Sequence, residues 1–192
     1  MLKKLLPLMI SLVLLCGCAD NGEESFDQFV KGVSEAETVS FSADVRAEYS
    51  DKTAEFTLRY AQSEESAEVE ITQPETVAGI KARVTGDALS LEYDGAILDI
   101  GSFGYTELSP MSALPLLVRS MTDAHVDITW REDDMIAARL VPSDDLTVTL
   151  WLSNELVPLN AEISYKEQTV IFIEINDWEV NRNERSAKED LG

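Results

Sequence analysis

The sequence predicts a mainly β protein of the α+β class, with a curved antiparallel sheet of about eleven strands and two helices. Three observations predict this fold. Apolar and polar residues alternate with a period of two through most of the chain, two segments show helical spacing instead, and turn residues separate the strands. Strands with one apolar and one charged face are typical of antiparallel sheets with one side in water. A sheet of this size must curl, and its apolar face needs a covering layer.

Six strands are predicted before the central helix. Between Phe41 and Tyr49, apolar residues lie at odd positions and polar residues at even positions. Residues 55–60 also alternate, with the apolar residues at even positions. The remaining four segments centre on Val69, Ala82, Leu91 and Leu98. Asp94-Gly95 predicts a two-residue hairpin between the last two strands, because both residues tolerate a positive φ.

Two segments have helical periodicity. Residues 23–36 bring Phe26, Phe29 and Val33 onto one face of an N-terminal helix. Ser109-Pro110 supplies an N-cap hydroxyl and a first-turn proline, so a second helix is predicted over residues 110–122. Five more strands are predicted over residues 125–131, 135–141, 146–152, 159–165 and 169–178.

The first residues have the organisation of an export signal. Lys3 and Lys4 precede an uncharged apolar run, Leu5 to Leu15, that is too short to span a bilayer. The next residues, Leu15-Cys16-Gly17-Cys18, resemble the lipobox of bacterial lipoproteins, which implies that the sulfur of Cys18 receives a lipid and that Cys18 becomes the new N-terminus. The alternative is ordinary cleavage after Cys18 or Ala19, which would leave a soluble secreted protein.

The predicted organisation is therefore a single domain behind a lipid anchor. A lipoprotein signal peptide covers residues 1–17, the lipidated cysteine and a linker cover 18–22, the domain covers 23–178, and a flexible tail covers 179–192. No cysteine follows Cys18, so the domain has no disulfide. The predicted location is the extracytoplasmic face of the cell membrane.

Charge limits the partners of the domain. The full chain has a net charge of −21, and removal of residues 1–17 takes away two lysines and no acid, which leaves 13 basic and 36 acidic residues and a net charge of −23. Such a surface repels nucleic acid and anionic lipid headgroups. Nucleic acid is not a predicted partner, and membrane attachment is expected from acyl chains alone.

The sequence does not suggest catalytic chemistry, a metal or a cofactor. His125, the single histidine, lies near Asp123 and Asp127, but no nucleophile-elbow motif accompanies it. The acidic doublets Asp133-Asp134 and Asp144-Asp145 lack the spacing of a calcium loop. A non-enzyme is predicted, and a hydrolase that uses His125 is the weakest alternative.

The order of elements resembles that of the LolA/LolB-like lipoprotein carrier superfamily. Three segments carry the resemblance, which covers most of residues 23–178: SFSADVRAEY (40–49) is similar to the opening strand, ITQPETVAG (71–79) to a polar, proline-containing break, and LSLEYDGAILDI (89–100) to a hairpin. The resemblance implies a half-barrel with a lid helix over a hollow that receives acyl chains, a lipoprotein or a partner protein. The lipobox makes the chain more similar to membrane-attached relatives, such as the outer-membrane receptor or envelope lipoproteins of spore formers.

Two functions fit this resemblance. In the first, an acyl chain or lipoprotein binds in the hollow against Phe56, Leu58, Val69, Ile71, Ile80, Leu91, Met111, Leu114, Leu117, Val118 and Met121. In the second, the central helix is a permanent plug, and the protein is an envelope scaffold that binds a protein partner and holds no ligand. Helical spacing is the same for a lid and for a plug. Trp151 lies opposite the apolar row of its strand, which favours a protein interface if the indole is exposed.

Overall fold

The structure is a computed structural model that describes residues 22–49, 52–86, 88–102 and 108–182. The predicted signal peptide, Cys18 and residues 183–192 of the predicted tail lie outside the described residues, as do residues 50, 51 and 87 in predicted turns. Within the described part, the chain forms two helices and eleven strands. The helices are α1 (Glu23–Ser34) and α2 (Pro110–Asp123).

The strands follow the predicted order. The first six are β1 (Thr38–Glu48), β2 (Thr53–Gln62), β3 (Ala67–Gln73), β4 (Lys81–Thr85), β5 (Ala88–Tyr93) and β6 (Ala96–Ser102). The last five are β7 (His125–Glu132), β8 (Met135–Ser143), β9 (Leu146–Ser153), β10 (Pro158–Tyr165) and β11 (Gln168–Asn181). Asp94 and Gly95 both have positive φ, at 49° and 78°, which confirms the predicted hairpin between β5 and β6.

All eleven strands form one antiparallel sheet, in the order β6-β5-β4-β3-β2-β1-β11-β10-β9-β8-β7. Each half of the chain forms a meander, and the pairing of β1 with β11 joins the two halves at the centre, where Val45 lies opposite Ile173. Among the described strands, β6 and β7 are the two edges of the sheet. The predicted fold class, an open and curved antiparallel half-barrel with an N-terminal and a central helix, is confirmed.

Both helices pack against the same face of the sheet, which we call the inner face. In β1 and β9 the buried residues of this face alternate with more exposed residues on the opposite, outer face, and in β9 the inner residues are buried at every second position. The two helices and the inner positions of the strands share one core cluster. The requirement that the apolar face be covered is therefore met by α1 and α2, as the sequence predicts.

The central helix α2 begins with a reciprocal cap. The Ser109 Oγ accepts a hydrogen bond from the Ser112 backbone N–H at 3.1 Å, and the Ser112 Oγ accepts one from the Ser109 backbone N–H at 2.9 Å. Pro110 occupies the first turn, where its missing N–H is not needed. The helix contacts strands in both halves of the sheet, β1 to β4 and β8. Of its predicted ligand residues, Leu114, Leu117, Val118 and Met121 are at most 3% exposed.

Helix α1 closes the core over the central strands. Its Phe29 ring lies 6.3 Å from the ring of Trp178, which in turn lies 5.2 Å from Phe41 of β1. The helix ends at Ser34, two residues before the predicted end, because the chain turns to pair with β11 through the Glu37 N–H and the Asn181 carbonyl. Among the described residues, no helix has the length and the hydropathy that a membrane span requires.

Both ends of the folded unit are fixed by specific contacts. Gly22 caps α1 with a φ of 82°, and a Cβ at this position would lie 2.9 Å from the Cγ2 of Ile136, so a larger residue does not fit. At the other end, β11 continues to Asn181, which pairs with Thr38. Residues 179–181 therefore belong to the sheet, and the domain extends beyond its predicted end at residue 178.

Burial of α2 leads to a stability prediction. Leu117→Ala removes a fully buried side chain, so we expect the free energy of unfolding to fall by about 2–5 kcal/mol. Ile97→Ala is the matched control, because Ile97 is 72% exposed and its truncation is expected to change stability by less than about 0.5 kcal/mol. Urea denaturation followed by circular dichroism measures both. If both substitutions lowered the free energy of unfolding by the same small amount, the result would contradict the packing of α2 as an integral part of the core.

Candidate functional site

The structure brings the predicted ligand residues together in the core. Seven of them are at most 5% exposed: Leu58, Val69, Ile71, Leu114, Leu117, Val118 and Met121. The other four are partly buried and pack against the same cluster: Phe56, Ile80, Leu91 and Met111. With α2 in this position, the seven buried side chains are covered by other protein side chains, so a ligand would reach them only after α2 moved. Their role in ligand binding stays a prediction.

A groove of about 800 Å³ lies elsewhere, on the outer face of the sheet. Its floor is formed by β2, β1, β11, β10 and β9, and its rims include Pro74 after β3 and Met135 at the start of β8. We call it the outer groove and define it by these lining residues: Asp44, Arg46, Glu55, Pro74, Glu132, Met135, Trp151, Asn160, Glu162, Phe172 and Glu174. Of the eleven predicted ligand residues, Phe56 also lines it.

Strand register arranges the floor of the outer groove in two rows. In the first row, each residue lies opposite the next on the neighbouring strand: Thr57, Asp44, Glu174 and Asn160, with Trp151 opposite Asn160. The second row is built in the same way from Glu55, Arg46, Phe172 and Glu162. Four carboxylates and two aromatic rings thus lie on a single continuous surface.

Two carboxylates face each other at the centre of the first row. Asp44 on β1 and Glu174 on β11 are direct cross-strand partners, and like charges in that arrangement destabilise a sheet. The Asp44 Oδ1 accepts a hydrogen bond from the Thr57 hydroxyl at 2.8 Å, whereas Glu174 has no hydrogen-bond or ion-pair partner among the described residues. The centre of the outer groove therefore keeps a repulsion that the sheet does not relieve.

Arg46 is the cation in the lining of the groove. Its guanidinium lies 4.1 Å from the centroid of the Phe172 ring, and it also forms an ion pair with Glu48. The lining contains five carboxylates, those of Asp44, Glu55, Glu132, Glu162 and Glu174. The lining therefore contains more acids than cations. Arg46 already contacts Phe172 and Glu48, which both lie outside the first row.

Two acids on β3, elsewhere on the outer face, are paired with cations. Glu68 on β3 accepts hydrogen bonds from Arg83 at 2.7 Å and from Lys81 at 2.9 Å, and these two cations lower the pKa of its carboxyl. Glu70 is paired with Arg59 at 3.2 Å. These ion pairs near β3 and β4 contrast with the carboxylates of Glu55, Glu162 and Glu174 in the outer groove, for which no ion pair is formed among the described residues.

Trp151 lines one end of the groove and shares a hydrogen-bond acceptor with Trp130. The indole N–H groups of Trp151 and Trp130 donate to the same oxygen of Glu132, at 3.0 and 3.3 Å, and together they cover Ala137 on β8. These hydrogen bonds, the one from Trp151 first, lower the pKa of the exposed Glu132 carboxyl. The prediction that Trp151 lies on the face opposite its apolar row is confirmed, and its ring is half-buried.

The other candidate chemistry remains dispersed. Within the described ranges, no three side chains of histidine, cysteine, aspartate or glutamate are grouped closely enough to hold a metal ion. His125 is exposed at the start of the edge strand β7.

Solved structures share the fold at low identity. An uncharacterised conserved protein from Thermus thermophilus is 11% identical, with a TM-score of 0.49 over 86% of this chain and 91% of that chain. A LolA superfamily protein from Nitrosomonas europaea is 15% identical, with a TM-score of 0.45 over 82% and 93%. A chain of the complex between the CwlD amidase and the GerS lipoprotein from Clostridioides difficile is 15% identical, with a TM-score of 0.45 over 82% and 94%.

At these identities the likeness is one of fold and does not extend to a ligand or a partner. No protein-family model and no curated protein matches the sequence.

The outer groove is not predicted from the sequence. Two signals were available, because Phe172 and Trp151 are large apolar residues at polar positions of their strands. Their proximity depends on the register of two strand pairings, β11 with β10 and β10 with β9, which the alternation does not specify.

The repulsion across β1 and β11 predicts a stabilising substitution. Glu174→Gln removes the charge opposite Asp44, so we expect the free energy of unfolding at neutral pH to rise by about 0.2–1 kcal/mol. Glu179→Gln is the matched control on the same strand, since Glu179 lies opposite Ser40 and is expected to leave stability unchanged. Urea denaturation gives both values. A loss of stability in Glu174→Gln alone would contradict the repulsive pair.

The Glu132 carboxyl predicts a pH dependence. Because its folded pKa is lowered, the contribution of this group to stability is present above the unfolded pKa and is lost as the pH falls through the folded pKa. Carboxyl carbon NMR should give a midpoint below the ordinary value of 4.5. Trp151→Phe should raise the midpoint towards that value, and Trp130→Phe should raise it less, since its hydrogen bond is longer. A midpoint at or above 4.5 in the unaltered protein would refute the assignment.

Proposed function

We propose that this protein is a lipid-anchored lipoprotein at the extracytoplasmic face of the cell membrane, and that it acts as a non-enzymatic scaffold that binds a protein partner. One observation carries the proposal. The apolar side chains of α2 are buried in the inner face, while the open groove lies on the outer face. The surface available to a partner is therefore the polar side of the sheet.

The cost of moving α2 supports this choice. Leu114, Leu117, Val118 and Met121 are buried, and exposure of each would cost about 1.5–3 kcal/mol, or about 6–12 kcal/mol in all. That range is comparable to the whole stability of a typical domain, about 5–15 kcal/mol. In the absence of a ligand, α2 therefore acts as a plug.

A lipid on Cys18 would lie close to the end of the domain that carries one rim of the outer groove. Three residues lie between Cys18 and Gly22, so the Cα atoms of these two residues are at most about 14 Å apart when the chain is extended. Gly22 is in contact with Ile136, the neighbour of Met135 on the rim of the groove. A lipid on Cys18 would thus hold the groove near the membrane surface, where an envelope protein can reach it.

The second candidate function is that of a carrier for an acyl chain or lipoprotein. One observation favours it: Ile80, Leu91 and Met111 are partly exposed at the border of the core, where an apolar ligand would first make contact. An entering chain would have to replace the contacts of α2. Each buried methylene contributes about 0.8 kcal/mol, so some eight to fifteen methylenes would be needed.

Site-specific photo-crosslinking distinguishes the two functions. A benzoylphenylalanine at Asn160, in the floor of the outer groove, is expected to give a discrete polypeptide adduct in membranes of the native host. The same residue at Met111 probes the border of the core, and at Glu64, in the exposed turn after β2, it serves as the surface control. Mass spectrometry identifies the adducts.

The outcomes separate clearly. A polypeptide adduct from position 160, with none from 111 or 64, supports the scaffold. An acyl or lipoprotein adduct from position 111, with none from 160, supports the carrier and contradicts the scaffold.

Cys18→Ser should release the protein from the membrane fraction, and retention of this variant in the membrane would contradict the anchor.

A further inference from the structure

We infer that the outer groove binds an extended basic segment of the partner, about six residues long, through lysine or arginine side chains. This inference rests on the proposed scaffold function and adds the chemistry of the bound segment. The charge, the apolar lining and the width of the outer groove support it.

Charge complementarity identifies the occupant. The outer groove has five carboxylates and one guanidinium, and Glu55, Glu162 and Glu174 have no cationic partner among the described residues. Acids of the same face outside the groove, such as Glu68, have one. A side-chain cation placed between Asp44 and Glu174 would turn a repulsive pair into two attractive ones, since the Cα atoms of such partners are only about 4.5–5.5 Å apart.

The apolar part of the lining suits long basic side chains. Trp151 and Phe172 line the floor, and Pro74 and Met135 contribute apolar rims. Lysine and arginine bury their aliphatic stems against such surfaces while the charged group stays in contact with carboxylates. Tryptophan is also the preferred aromatic partner of a cation.

The floor has the width of a short extended peptide. It crosses five adjacent strands from β2 to β9, which are about 4.8 Å apart, so it is about 19 Å wide. An extended chain covers that distance with about six residues. A single metal ion does not match this layout, because no three metal-ligating side chains are grouped together in the described residues.

Fluorescence titration tests the inference with a defined probe. The probe is fluorescein-labelled hexa-arginine, with hexa-glutamate as the negative control, and the protein is the chain from residue 18 onward with Cys18→Ser. The groove variant combines Asp44→Asn with Glu174→Gln. The control variant combines Glu64→Gln with Glu179→Gln, two exposed acids outside the lining of the groove, so both variants change the net charge equally.

The groove variant is expected to bind hexa-arginine at least tenfold more weakly, while the control variant stays within twofold of the unaltered protein. Hexa-arginine should also change the tryptophan fluorescence, and Trp151→Phe should abolish most of that change. Equal weakening in both double variants would overturn the inference, because it would show that the overall negative charge, and not the groove, binds the peptide. Circular dichroism confirms that each variant is folded.

The crosslinking probe at Asn160 separates failure of this inference from failure of the scaffold function. In the groove variant, the polypeptide adduct should fall in proportion to peptide binding. An undiminished adduct would leave the scaffold function intact and overturn the basic segment as its ligand. The absence of any adduct in the unaltered protein would refute the scaffold function itself.

Discussion

The pairing of β1 with β11 is the interaction on which the rest of the structure depends. It joins two meanders that are each local in sequence, and it brings together strands from the two ends of the domain. On the inner face it places Val45 against Ile173, at the centre of the core that α1 and α2 cover. On the outer face the same pairing places Asp44 against Glu174. Because side chains alternate between faces, one register sets both the packing of the core and the charge of the outer groove.

Different interactions stabilise the two faces of the sheet. The inner face is stabilised by burial, and α2 completes it with side chains that are almost inaccessible to solvent. The outer face is stabilised by cross-strand ion pairs near β3 and β4, but the outer groove lacks these pairs and keeps two facing carboxylates. A sequence under selection for stability alone would place a cation beside Glu174. Local conflict of this kind, surrounded by a consistent structure, is expected where a surface has a function.

Much of the fold follows from the sequence, whereas the candidate site does not. Alternation specifies the strands, Asp94-Gly95 specifies a hairpin and Ser109-Pro110 specifies the start of α2, because each of these signals is local. The bulge near Asp177, whose φ is 53°, is not visible in the pattern, and it allows Trp178 to contact Phe41 in the core although strict alternation places it outside. The outer groove is also not predicted by the sequence pattern, because its floor is formed by residues from five strands. The helical spacing of α2 fits both a lid and a plug, and only its burial distinguishes the two.

The proposed anchor and the proposed ligand chemistry depend on each other. Exposed ion pairs contribute only about 0–1 kcal/mol each, so a groove that recognises a short basic segment through surface carboxylates binds it weakly in solution. Attachment to a membrane changes this balance, because a partner in the same envelope meets the groove at a high effective concentration. The tether from Cys18 to Gly22 is short, and Gly22 lies beside the strand that carries Met135 at the rim. The net negative charge of the domain repels anionic headgroups, so the charge of the domain adds no attraction to the lipid surface. Weak and selective binding of the basic segment thus becomes sufficient to hold the partner only when the lipid is attached to Cys18.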